Sequence, residues 1–87
     1  MENLRLTAVR TGPQLGAALR RRRKLMGLSQ AQVADQMGVR QATVSLLESA
    51  EADSKVSTLL DLLAALNLDL VVRPREDDER PSIEDIF

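Results

Sequence analysis

Four residues in one short stretch, Arg40, Gln41, Ala42 and Ser45, carry side chains that match the edges of DNA base pairs. Arginine forks onto O6 and N7 of guanine, glutamine onto N6 and N7 of adenine, and an alanine methyl can touch the methyl of thymine. Ser29, Gln30, Thr43 and Arg22 are short or basic polar groups of the kind that grip phosphate, a contact that positions a protein without reading sequence. No comparable set exists for catalysis. The chain has no cysteine, histidine or tyrosine, and no Gly-rich phosphate loop, so it offers no nucleophile–base set and no metal cluster. We therefore expect no enzyme activity and no cofactor.

These side chains need elements to hold them. Ser29 with Gln32 spells a Ser-x-x-Gln capping box, which starts a helix. Val33, Ala34 and Met37 give that helix a buried face. Gly38 ends it, because a residue without a Cβ takes the positive φ of a tight turn. A second helix is expected from about Gln41 to Ser49, with Val44 and Leu47 pointing inward. Two short helices joined by a Gly-containing turn make a helix-turn-helix, and its second helix is the one that enters the major groove.

Flanking helices complete the body. Thr11-Gly12-Pro13 reads as a helix start, with Gly12 near the cap and Pro13 at the first helical position. Leu15, Ala18, Leu19, Arg22 and Met26 follow helical spacing, and Gly27 stops the run. After the polar segment 51–54, Ser54 is placed to cap a fourth helix reaching about Asn67. Its expected apolar stripe is Val56, Leu59, Leu60, Leu63 and Leu66.

From Leu68 to Arg73 the pattern alternates until Pro74, which reads as a strand. A lone strand leaves its backbone groups unsatisfied. A second copy of Leu68, Leu70, Val71 and Val72 from another protomer is the better partner than the weak alternation of Leu4, Leu6 and Ala8. The expected fold is all-α: four helices, plus a short C-terminal β-strand that pairs across a homodimer. The divisions are an N-terminal arm (1–12), the helix-turn-helix domain (13–67), the dimerisation strand (68–74) and an acidic tail (75–87), expected to be disordered when free.

The net charge of −1 hides an asymmetry. Residues 1–75 hold eleven lysines and arginines against seven acids, and residues 76–87 hold one arginine against six acids. The chain is thus a basic domain with an acidic tail. The five basic residues 20–24 wrap a full helical circumference, so they cannot all face one surface. Ile83, Ile86 and Phe87 are apolar islands in the tail, and a partner-binding segment that folds on contact accounts for them. With one aromatic residue, Phe87, the chain lacks stacking platforms for single strands. No apolar run approaches a membrane span and MENLRLTAVR lacks a signal-peptide core, so a cytoplasmic location, on the nucleoid when DNA-bound, is the default expectation.

The stretch LSQAQVADQMGVRQATVSLLES, residues 28–49, resembles the Xre/Cro-type helix-turn-helix of phage and bacterial repressors. The matching residues are Leu28-Ser29-Gln30, Val33-Ala34, Gly38-Val39, Gln41, Val44-Ser45 and Glu48. With its flanks the resemblance covers about residues 13–67. RQATVSLLE, then LAALNLDLVV, the acidic tail and the aromatic last residue are similar to the HipB-type antitoxins of HipA kinases. The resemblance implies a structural ion pair between Arg23 and Glu48. It also implies a dimeric repressor that binds palindromic operators in double-stranded DNA, regulates its own operon and sequesters a HipA-like Ser/Thr kinase. Two other readings stay open: a stand-alone repressor without a toxin, and an interaction subunit whose motif no longer binds DNA.

Overall fold

Capping fixes where the helices begin. In the computed structural model, which describes residues 8–51 and 53–75, α1 runs Gly12–Leu25, α2 Gln30–Met37, α3 Gln41–Ser49 and α4 Val56–Ala65. Thr11 is the N-cap of α1: its hydroxyl accepts from the Gln14 amide at 3.2 Å. Gly12 is therefore the first helical residue and Pro13 the second, one step later than expected. Ser29 and Gln32 form the reciprocal box that starts α2, with the Gln32 amide donating 3.0 Å to Ser29 Oγ and the Ser29 amide 2.8 Å to Gln32 Oε1. The box satisfies two amides that a helix start would otherwise leave unpaired. Gly38 closes α2 at φ 74°, a left-handed conformation that costs a glycine little.

The core is aliphatic and sits among all four helices. Leu19 of α1, Val33 and Ala34 of α2, Val44 and Leu47 of α3, and Leu62, Leu63 and Leu66 at the end of α4 are buried. Leu15, Leu28, Met37, Val39, Leu59, Ala65 and Leu68 pack partly buried against them. α3 packs on both α1 and α2, and α4 packs on α2. The second helix of the motif is thereby wedged into the body with one face free.

Two expectations about the C-terminal third are corrected. Ser54 does not cap α4; the N-cap is Lys55, with no side-chain hydrogen bond, and the helix starts at Val56. The stripe is also rotated. Val56 and Leu60 are exposed, while Leu62 is fully buried. Leucines at 59, 60, 62 and 63 span a ~160° arc, wider than the face the core covers, so periodicity alone does not say which edge is buried.

Among the described residues there is no β-strand. Leu68 is partly buried against the core, and Leu70, Val71 and Val72 are exposed. A strand is defined by its hydrogen-bonded neighbour, so a dimer strand is not an element of the single chain. The alternation at Leu4 and Leu6, and the tail residues Ile83, Ile86 and Phe87, lie outside the described residues.

Candidate nucleic-acid interface

A buried ion pair anchors the site. Arg23 lies on the inner face of α1 and Glu48 near the end of α3; they are 7% and 9% exposed. Arg23 Nε donates 2.6 Å to Glu48 Oε2 and Nη2 donates 3.1 Å to Oε1. The third arm of the guanidinium, Nη1, donates 2.8 Å to the Leu28 carbonyl in the loop before α2. One side chain thus ties α1, α3 and the entrance to the motif together. The two-pronged geometry is the strong, directional form of an arginine–carboxylate contact.

The pair shifts both titrations. The hydrogen bond that Arg23 donates to Glu48 holds Arg23 above its ordinary value; burial opposes this, and the carboxylate's charge adds to it. Burial by itself would push the Glu48 carboxyl up. Hydrogen bonds from Arg23 and Gln30, with the charges of Arg23 and Arg20, outweigh burial and hold it below the ordinary range.

From Glu48 a hydrogen-bonded chain runs outward. Gln30 Nε2 donates 3.0 Å to Glu48 Oε1, and Gln41 Nε2 donates 3.3 Å to Gln30 Oε1. The order of donors follows from charge. A carboxylate only accepts, so Gln30 must turn its NH2 toward Glu48 and its oxygen toward Gln41. Gln41 must then offer its own NH2 to Gln30. Its Oε1 and second N–H remain for an outside partner, and these are the acceptor and donor that an adenine edge needs.

Gln41 is exposed at the first position of α3, and Arg40, exposed, is the N-cap before it. At ~100° per residue, Gln41, Ala42 and Ser45 fall within a ~100° arc. All three are exposed, whereas Val44 and Leu47 on the opposite side are buried. Gln41, Ala42 and Ser45 therefore share the free face of α3, and Arg40 precedes it as the exposed, extended N-cap. Thr43 is half-buried, and Ser29 is exposed at the start of α2 with its Oγ engaged in the capping box. Arg22 stands apart. It is half-buried, and its Nε donates 2.9 Å to the Leu66 carbonyl at the end of α4. Arg20, Arg21 and Lys24 are the exposed members of the basic run.

Gly16 escaped the sequence reading. It is buried where α1 crosses α3, and a Cβ built on it would collide with the Glu48 carbonyl oxygen and lie 2.8 Å from the Glu48 carbonyl carbon. The signal was present, since an interior helical glycine costs about 1 kcal/mol against alanine and needs a packing reason. Among the described residues no cluster of acids can hold a metal ion, and no helix is long and apolar enough to cross a membrane.

Comparison with known proteins agrees with this geometry. The helix-turn-helix family HTH_3 matches residues 19–72. Among solved structures, a HipB–O2 20mer complex is similar at TM-score 0.77 and 25% identity, covering 83% of this chain and 100% of that one. The HipB chain of a HipA–HipB–O2–O3 complex shares the fold at TM-score 0.76 and 24% identity, covering 82% and 100%. The restriction-modification controller protein C.AhdI from Aeromonas hydrophila is similar at TM-score 0.61 and 28% identity, covering 66% and 83%. No curated protein matches by sequence.

Proposed function

The chain belongs to the helix-turn-helix family HTH_3, and from that premise we propose that it is a sequence-specific transcriptional repressor that also acts as the antitoxin of a HipA-like Ser/Thr kinase. It binds palindromic operators as a homodimer and represses its own operon. One observation carries the DNA half of this reading: the chain Glu48–Gln30–Gln41 aims a pre-oriented amide outward from the first residue of α3. Arg40, Ala42 and Ser45 surround it with side chains that suit base edges. Ser29, Gln30 and Thr43 are the phosphate contacts in this reading, and Arg22 joins them through the part of its guanidinium not held by Leu66.

The dimer half is supported by the exposed apolar residues Leu70, Val71 and Val72 beside the half-buried Leu68. Pairing that segment with its copy satisfies the backbone and covers the side chains together. Two recognition helices then meet half-sites ~34 Å apart. The antitoxin half is supported by the likeness of RQATVSLLE and LAALNLDLVV to HipB-type antitoxins, and by the similarity to a solved HipB–O2 20mer complex. In this reading Ile83, Ile86 and Phe87 are the segment offered to the kinase.

The test is footprinting on the DNA upstream of the chain's own gene, paired with purification of the native protein for mass spectrometry. We expect a protected palindrome that Arg40→Ala and Gln41→Ala each weaken, and a co-purifying kinase. Unchanged protection in both variants overturns the recognition surface. Protection without any kinase partner leaves a stand-alone repressor.

A further inference from the structure

Arg20, Arg21 and Lys24 stand exposed on α1 and make no hydrogen bond or ion pair with any described residue. They line a shallow groove together with the small side chains of Ala17 and Ser49. Glu48 also lines it, but its charge is matched by Arg23. The groove is therefore a cationic trough running beside the recognition network; the charge of Arg20 is felt at Glu48. Among the described residues nothing occupies it.

The same chain carries a complementary segment. Residues 76–79 are four consecutive acids, Glu76, Asp77, Asp78 and Glu79, following a body of net charge +4. The structure also fixes where this segment is tethered. The Leu66 carbonyl at the end of α4 is held 2.9 Å from Arg22 Nε, so the chain leaves α4 beside the basic run of α1. Nine residues lie between Leu66 and Glu76, ten steps along the chain, a reach of up to about 35 Å when extended. Arg20, Arg21 and Lys24 lie within about 3 Å of helix rise of Arg22 but on the opposite face of α1, so the segment must pass around the helix, roughly half of a cylinder ~10–12 Å across, a path that this reach covers. A segment tethered at that range has an effective concentration on the order of millimolar.

We propose that the acidic block Glu76–Glu79 docks in cis on Arg20, Arg21 and Lys24, where it competes with DNA phosphate for those cations. The competition half rests on the DNA-binding reading given above; the docking half does not. The block acts as an internal counterion. Displacing it costs non-specific binding at every site, whereas an operator that engages the base-reading face of α3 offsets that cost. The tail thereby weakens binding to bulk DNA and operator by the same factor, so that only the operator keeps affinity to spare, and it does so most at low ionic strength, where unscreened charges act over the longest range.

The experiment compares the full chain with a full-length variant in which the block is neutralised, Glu76→Gln, Asp77→Asn, Asp78→Asn and Glu79→Gln. Amide spectra of both are recorded without DNA. We expect shift differences clustered at Ala17, Arg20, Arg21, Lys24 and Ser49, independent of protein concentration, that fade as salt is raised to roughly 0.5 M. The second arm titrates a random-sequence duplex of about 20 base pairs. The neutralised variant should bind about tenfold tighter at low salt, with the two forms converging as salt rises. No differences on α1 overturn the docking, even if affinity changes, since long-range charge alone then accounts for the affinity. Differences that grow with protein concentration also overturn it and assign the block to a second copy. Clustered α1 differences with no duplex binding by either form uphold the docking and overturn the DNA-binding reading instead.

Discussion

Gly16 of α1 packs so closely on the backbone carbonyl of Glu48 that no Cβ fits between them. The contact sets the distance between α1 and α3, and with it the distance over which Arg23 must reach Glu48. A hydrogen bond of 2.6 Å at that ion pair and a side-chain-free crossing at Gly16 are two consequences of one helix separation.

Gly16→Ala should therefore destabilise the fold although alanine is the better helix former. The obstacle is backbone, which cannot rotate away, so the expected loss is about 1–3 kcal/mol or more, the usual cost of overpacking. Urea unfolding at fixed pH measures it. An unchanged midpoint would mean that α1 and α3 are not held at this separation.

Breaking the ion pair on one side should be costly in a pH-dependent way. Arg23→Met leaves Glu48 buried without its partner, with an expected loss of about 3–5 kcal/mol at neutral pH. Replacing both residues by Met should recover much of it, because no unpaired charge is then left inside. The pH dependence follows from the lowered Glu48 pKa. A carboxyl depressed in the folded state contributes fully above its unfolded value, about 4.3, and loses that contribution as pH falls through the folded value. The stability gap between the native chain and Glu48→Gln should hold from neutral pH to about 5 and close below about 4. A gap that widens in acid would contradict the sign.

On DNA, Gln41→Ala should cost about 1–3 kcal/mol on the preferred operator and relax selection at one base position, with the salt dependence unchanged. Gln30→Ala should reproduce part of the same relaxation, because Gln41 then loses the acceptor that orients its amide. A double-mutant cycle on operator affinity separates the two. Strict additivity would mean that Gln30 does not position Gln41.

The phase of α4 makes a sharp contrast between neighbours. Leu62→Ala should destabilise by about 2–5 kcal/mol, since Leu62 is fully buried. Leu60→Ala, at an exposed position, should change the stability of an isolated protomer by no more than about 0.5 kcal/mol. Thermal unfolding of both variants at low protein concentration reports the difference. Equal losses would return the helix to the phase that periodicity suggested.

Val71→Asp tests the proposed strand pairing. A charge facing its own copy across a two-fold axis repels, so sedimentation should show monomers, and operator affinity should fall far more than binding to a single half-site. A dimer that persists with full affinity would place the two-fold contact elsewhere.

What the sequence determined by itself is local. The Ser29–Gln32 box and the turn at Gly38 act within four residues of themselves, so the bounds of α2 and the start of α3 follow from spacing alone. The inward faces of those helices, Val33, Ala34, Val44 and Leu47, were legible because polar residues fill the other positions. The residue types suited to base edges were also visible, and helical spacing puts Gln41, Ala42 and Ser45 on one face. Tertiary structure decided the rest. The leucines of α4 span an arc wider than any one buried face, and the surface that α2 supplies covered its Leu62 edge and left Leu60 exposed. Arg22 reads as one more free cation until the chain folds back and sets the Leu66 carbonyl, 44 residues away, within reach of its Nε. Gln30 gains its orienting role from a carboxylate 18 residues on. The physical reason is common to all three. Caps and turns are fixed by nearest neighbours along the chain, whereas the partner of a buried polar atom or an apolar face is fixed by which helices meet.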